Sequence, residues 1–336
     1  MTAGRYVIRR LVLLVPQVLG VTTIVFFLIR LLPGDPAYMI AGSLATKDVI
    51  ASVRRQLGLD RPIWDQYIIY LDRVAHGDLG KSWLTSSQVT QDILQRMPAT
   101  LELITLALIL AFCIALPLGM LTALRPGTVI DRLASAYGML AGAMPDFWWA
   151  LFLVFILFGK LRVVPAPIGR LDIALVPPPQ VTGFYTVDSI IAGDWPVFWS
   201  ALAHLALPTF TLAFVYAGPI LKMARSTMSQ ALLGNFVQYA RASGLPGHVV
   251  ARYALRNALL PVITMTGITY GYLIGGAVLI ELIFAWGGLG QYAVQAITSS
   301  DYMAVSGVVL TTTMFSLLVY LAVDLIYLAV DPRIRY

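Results

Sequence analysis

The chain has 336 residues, 59% of them hydrophobic and 12% charged, which is too apolar for two ordinary soluble domains. Lys and Arg number 23 against 17 Asp and Glu, a formal charge of +6, and the mean hydropathy is +0.80. This composition belongs in a bilayer and makes nucleic-acid binding a poor reading, so the question becomes which side the excess cations occupy. One cysteine, Cys113, excludes an internal disulfide, and His76, His204 and His248 stand apart with no metal-ligand spacing.

A bilayer core about 30 Å thick needs about 20 apolar residues in a helix. Six runs qualify, approximately 11–32, 99–124, 133–160, 201–223, 258–284 and 302–330. The first follows Arg9 and Arg10 but is longer than a signal-peptide core, so it reads as an uncleaved span. With the N-terminus in the cytoplasm, the inner segments hold twelve Lys and Arg against two acids, Asp131 and Asp331. Segment 33–98 is balanced, with seven of each sign, and long segments translocate largely regardless of charge. Both termini are therefore expected on the cytoplasmic side of an all-α integral membrane protein with six transmembrane helices.

Segment 33–98 carries two stretches of helical periodicity. Thr46 opens one that runs to Gly58, and Pro62 opens another that runs to Gly77. They read as helices on the outer face, either a cover over the first span or a ligand-binding domain. In 161–200, Pro165, Pro167 and Pro177 to Pro179 forbid continuous helix and predict an extended loop. Its aromatic end, Phe184, Tyr185, Trp195, Phe198 and Trp199, suits a membrane interface. The inner loop 224–257 predicts a short amphipathic helix from Leu232, Leu233, Phe236, Val237 and Ala240, ended by Gly244-Leu245-Pro246-Gly247. Such a helix either packs on its own chain or docks a partner.

Chemistry is scarce. Gly80-Lys81-Ser82 lacks the upstream glycine of a phosphate loop and reads as an ordinary turn; there is no nucleophile elbow, zinc-protease motif or carboxylate pair. Glu102, Asp146, Glu281 and Asp324 are the acids in or near spans, mostly near their ends, which argues against a stand-alone proton-coupled carrier and places the energy source elsewhere. Glu281 precedes the glycine-rich bend Phe284 to Gly290, where a carboxylate lines the pathway, anchors the bend, or hydrogen-bonds the loop backbone. Glu281, Phe284 and Asp146 are the candidate pathway or gate residues.

Tyr239-Ala240-Arg241-Ala242-Ser243-Gly244-Leu245, followed by Leu255-Arg256-Asn257-Ala258-Leu259-Leu260-Pro261, resembles the EAA loop of binding-protein-dependent ABC importers of the dipeptide/oligopeptide type. Arg9-Arg10, Leu32-Pro33-Gly34-Asp35-Pro36, Leu57-Gly58-Leu59-Asp60, Gly77-Asp78-Leu79-Gly80, Glu281 with Phe284 and Gly287 to Gly290, and Asp331-Pro332-Arg333-Ile334-Arg335-Tyr336 look like the B-type permease subunit of that family. The resemblance covers essentially the whole chain. It implies the type I importer permease fold, divided into a first span (1–32), an extracytoplasmic helical segment (33–98), a core permease domain (99–330) and a cytoplasmic tail (331–336), in a bacterial or archaeal cytoplasmic membrane.

The resemblance also implies partners: a second homologous permease subunit, two ATPase subunits and an extracytoplasmic substrate-binding protein. ATP and Mg would be bound by the ATPases, with no cofactor, metal site or catalytic residue in this chain. Phe236, Tyr239, Ala240, Arg241, Ala242, Ser243, Gly244 and Leu245 would form the coupling helix that docks on an ATPase, with Gly244 allowing a turn that a side chain would crowd. Asn235, Gln238 and Ser243 replace charged residues usual in the family, which leaves Arg241 as the ionic contact. Peptides are the implied solutes; nickel, glutathione and opine-like compounds are alternatives on the same fold.

Overall fold

The structure, a computed structural model, describes residues 3–31, 36–42, 45–56 and 58–330. The motif at 32–35, Leu57 and the closing segment 331–336 lie outside the described residues. Among the described residues the regular elements are helices, and β pairing is confined to the bridge between Lys81 and Gln88, which closes the turn 82–87.

Five helices are long and apolar enough to cross a membrane: α1 (Ala3–Leu31), α5 (Val89–Leu124), α9 (Trp195–Leu232), α11 (Gly247–Ile283) and α13 (Tyr302–Val330). Two further helices, α6 (Val129–Ala141) and α7 (Asp146–Leu153), the latter continued by a π-helical stretch, Val154–Lys160, are apolar enough together but bent by 105°, so they form either a broken sixth span or a re-entrant loop, and the described residues contain five or six candidate spans. The sequence reading expected one uninterrupted span over 133–160. It breaks because Pro145 has no N–H to donate and pushes Met144 out of the helical region, so the chain restarts with Pro145 as the cap of α7. Apolar composition continues through the break, which hides it from a hydropathy reading.

Two other boundaries differ. The second span starts at Val89 rather than Ala99, ahead of Pro98, which the helix tolerates. The loop expected over 161–200 is irregular only as far as Phe184; α8 (Tyr185–Ala192) follows, and α9 begins at Trp195. Asp194 accepts a hydrogen bond from the Val197 N–H (3.1 Å), and Pro196 occupies the first turn, so Asp194-Trp195-Pro196 is a cap-plus-proline start that the aromatic content obscured. At about 1.5 Å per residue, helices as long as α5, α9 and α11 exceed the bilayer core and must project beyond it.

The chain divides into two compact units, Met1–Met97 with Gln291–Leu317, and Pro98–Gly290 with Leu318–Tyr336. The first contains α1, α2 (Pro36–Ala41), α3 (Lys47–Gln56) and α4 (Ile63–Ala75). Phe26 of α1 is fully buried, with its ring 5.1 Å from Tyr67 and 5.4 Å from Tyr70 of α4. Asp301, also fully buried, caps α13 through the Ala304 N–H (3.1 Å) and accepts from Ser82 Oγ (2.6 Å), tying the turn after α4 to the start of α13.

The second unit packs α9 against α11, with α6, α7 and α8 laid on α9. Its centre is built from small residues, Ala111 and Ala115 of α5, Ala134 of α6, and Ala213, Ala217 and Ala224 of α9, around Ile220 and Leu221. Lipid provides no hydrophobic drive between helices, so close backbone approach through alanine replaces it as the source of packing energy. Asp131, in the first turn of α6, pairs with Arg225 of α9 (2.8 Å) and fixes these two helices next to the connection that follows α9.

Candidate functional site

The connection between α9 and α11 is the short helix α10 (Asn235–Ala242). Val237 and Ala240, three apart, are buried against Met228 of α9 and Val250, Ala254 and Ala258 of α11, with Ala123 of α5. Phe236 and Tyr239, also three apart, point the other way and are 42% and 77% exposed. Leu233 and Leu245 extend this outward surface before and after the helix. Thus α10 is apolar on two faces: one seats it on the long helices, and the other is uncovered among the described residues.

The remaining coupling candidates fall on that outer side. Arg241, Ala242, Ser243 and Gly244 are all exposed, whereas Ala240 belongs to the seat. Gly244 adopts φ +73°, and a Cβ built there meets nothing within 4 Å. The turn therefore requires glycine for its left-handed backbone and not, as the sequence reading had it, for want of space.

The pathway candidates lie elsewhere in the same unit. Glu281, near the end of α11, is fully buried and accepts a hydrogen bond from Thr100 Oγ1 (2.5 Å) of α5. Thr100 Oγ1 in turn accepts from the Leu289 N–H (2.8 Å), and Trp286 Nε1 donates to the Ala99 carbonyl (2.9 Å). The bend between α11 and α12 (Leu289–Thr298) is thereby clamped to α5 at successive residues. Phe284 is buried at the head of the bend, and its carbonyl accepts from the Gly169 N–H (2.8 Å). Asp146 does not join this group. It opens α7 at the 105° break and stands against the Tyr216 hydroxyl of α9.

Beside Glu281 lies a pair that the sequence reading did not assemble. Glu102 of α5, 2% exposed, binds Arg170 Nη2 at 2.6 Å and accepts from the Thr186 N–H and Oγ1 (2.9 and 2.6 Å). The Arg170 guanidinium lies 3.5 Å over the Tyr185 ring. Asp188 of α8 holds the same loop by accepting from the N–H groups of Val181, Thr182 and Gly183 and from Thr182 Oγ1. Burial raises the Asp188 pKa, but these hydrogen bonds outweigh it and leave the carboxyl below its ordinary value. Its stabilising effect is present above the unfolded-state value of about 4 and lost as pH falls through the folded one. The protection of the 181–183 amides, relative to their intrinsic exchange rates, is expected to fall below about pH 4, and Asp188→Asn to show the reduced protection already at neutral pH.

A chain of the inward-facing MetNI methionine ABC transporter matches this one with a TM-score of 0.53 at 19% identity, over 72% of this chain and 97% of that one. The fold is therefore that of a type I ABC importer permease. Residues 115–336 match the binding-protein-dependent transport system inner membrane component family, and residues 3–104 match its N-terminal component. The chain belongs to this family of multi-pass membrane permeases. It is 43% identical to the probable D,D-dipeptide transport system permease protein of Escherichia coli K12, over 96% of this chain and 94% of the relative. It is also 37% identical to the dipeptide transport system permease protein of the same organism, over 99% of both.

Proposed function

We propose that this chain is one of two homologous permease subunits in an ATP-driven, binding-protein-dependent importer of dipeptides and oligopeptides, located in a bacterial or archaeal cytoplasmic membrane. The observation that carries the reading is the uncovered apolar face of α10, with Phe236 and Tyr239 outward, on a helix that lies outside every span. An ATPase groove covers that face, and the inner face transmits its movement. Val237 and Ala240 grip Met228 of α9 and Ala254 of α11, so a displacement of α10 tilts both long helices as rigid bodies.

In this reading ATP and Mg are bound and hydrolysed by two partner ATPases, an extracytoplasmic binding protein delivers the solute, and this chain performs no catalysis. Cation-rich inner segments put both termini and α10 in the cytoplasm and segment 33–98 outside, with 99–330 as the core permease domain and 331–336 as the inner tail. Glu281 then anchors the bend after α11, because its carboxylate is enclosed by Thr100 and the bend itself.

Reconstitution of the chain with its partner permease, ATPases and binding protein tests the reading by ATP-dependent uptake of a labelled dipeptide. Saturable uptake competed by other dipeptides is expected. Uptake of glutathione or nickel in place of dipeptides would refute the solute assignment, and transport without ATPases would refute the subunit role.

Gly244 provides a finer check. A left-handed non-glycine residue costs about 1–2 kcal/mol, least for asparagine and most for a β-branched side chain. Gly244→Val is expected to lower uptake several-fold while ATP hydrolysis by the complex persists, and Gly244→Asn to stay near wild type.

A further inference from the structure

The first unit contains a cavity of about 330 Å³ whose lining includes Phe26 and Arg30 of α1, Tyr70 and Arg73 of α4, and Tyr302 and Ser306 of α13. Arg30 is hydrogen-bonded there. Its Nε and Nη2 donate to Gln66 Oε1 (3.2 and 2.9 Å), its Nη1 donates to the Phe26 carbonyl (3.3 Å), and its guanidinium stacks 3.5 Å over the Phe26 ring. A guanidinium carries five N–H groups, so one remains on each terminal nitrogen, the spacing that receives two oxygens of an oxyanion. Arg73 makes no side-chain hydrogen bond or ion pair among the described residues. Among the described lining residues two cations, Arg30 and Arg73, stand against one carboxylate, Asp78, which accepts from the Gly80 N–H (2.9 Å).

Farther along the same two helices lies a second, smaller cavity of about 40 Å³, lined by Val18, Val21 and Thr22 of α1, Leu310, Thr313 and Leu317 of α13, and Val74 of α4, the residue next to Arg73. Thr22 and Thr313 donate to carbonyls of their own helices (Val18 and Val309, both 2.7 Å), so this groove offers apolar surface alone. From Phe26 to Val18 the helix descends about 12 Å at 1.5 Å per residue. Phe26 and Tyr302 stand at the ends of the apolar stretches of α1 and α13, so the cationic cavity lies at the end of these stretches and the groove alongside them.

We propose that these two cavities form one binding site for a phospholipid with an anionic headgroup, its phosphate on Arg30 and Arg73 and an acyl chain along the α1–α13 groove. A water-soluble peptide offers a carboxylate for the upper cavity but nothing for the lower. A zwitterionic lipid fills the groove but brings an ammonium group toward two guanidinium groups. The headgroup charge and the chain are both needed, which is what separates this site from the general lipid contact made by exposed residues such as Ile24 and Leu28.

The test uses the assembled complex, delipidated in detergent, incubated with phosphatidylglycerol or with phosphatidylcholine of the same chains, washed, and assayed for retained lipid by mass spectrometry. Retention of phosphatidylglycerol about tenfold above phosphatidylcholine is expected, corresponding to about 1.4 kcal/mol of selectivity. Arg73→Gln, which removes no side-chain hydrogen bond or ion pair among the described residues, is expected to remove most of that difference while thermal unfolding stays as in the wild type. Val21→Phe, which fills the groove, is expected to lower retention with both arginines present. Glycerol phosphate, which has the headgroup without the chain, is expected not to displace the lipid. Equal retention of the two lipids, undiminished selectivity in Arg73→Gln, or displacement by glycerol phosphate or by a dipeptide would each overturn the proposal.

Discussion

Gly288→Ala is expected to cost about 3 kcal/mol or more and to reduce both the amount of folded chain and its transport at least several-fold. A Cβ at Gly288 would lie 2.5 Å from both carboxylate oxygens of Glu281 and 2.5 Å from Thr100 Oγ1. No real contact of that kind survives, so either the bend shifts or the Glu281–Thr100 hydrogen bond opens. Opening it leaves a buried carboxylate short of a donor, and overpacking is added to that loss. Gly275→Ala is the control. Gly275 lies in the middle of α11, has a helical φ and has nothing within 4 Å of the added methyl group, so it is expected to be neutral or slightly stabilising. Thermal unfolding of the detergent-purified complex separates the two. Equal behaviour of the two variants would show that Glu281 is not clamped as described.

Arg170→Met is the second large effect. Breaking a buried ion pair by removing one partner costs about 3–5 kcal/mol, because the remaining charge stays buried without compensation. Glu102 would keep its bonds from Thr186 but lose the 2.6 Å contact at its other oxygen, and Tyr185 would lose the stacked guanidinium. Adding Glu102→Gln to Arg170→Met is expected to recover a substantial part of the loss, since the stranded charge goes with it. Arg170 Nε, buried without an acceptor, is a further burden that the double replacement removes. A double-mutant cycle on the unfolding temperature measures the coupling. Additive single effects would mean that the pair contributes nothing beyond its separate contacts.

Both effects arise in a cluster that the linear sequence conceals. Thr100 and Glu281 are 181 residues apart, and Glu102 and Arg170 are 68 apart. Periodicity and capping rules act over a few residues, so they locate each member on an element without pairing them. Glu281 stands out in the sequence because a carboxylate beside a glycine-rich bend is costly. Arg170, in a proline-rich loop, had no such signal. The five continuous apolar helices are legible in the sequence, because hydropathy over about 20 residues is a local property. The 105° break at Pro145 is not, although the proline that causes it stands in the sequence.

The short helix α10 lies between these extremes. Its stop at Gly244-Leu245-Pro246-Gly247 is written in residue types, and the positive φ of Gly244 agrees. Which face it seats was not legible, since Phe236 and Val237 are equally apolar neighbours and only the placement of Met228, Ala254 and Ala258 decides between them. The outward residue Tyr239 owes its exposure to that choice.

Site-directed cross-linking from α10 tests the central claim most directly. Ser243 is exposed at the end of the helix, so a cysteine there is accessible. In an assembled, transport-active complex carrying one cysteine at the groove rim of the ATPase, the account requires oxidant-dependent cross-linking between Ser243→Cys and that subunit, with ATP-driven uptake falling as the bond forms and returning on reduction. A fully active complex in which Ser243→Cys never bonds to the ATPase, while a cysteine on another exposed loop does, would contradict it.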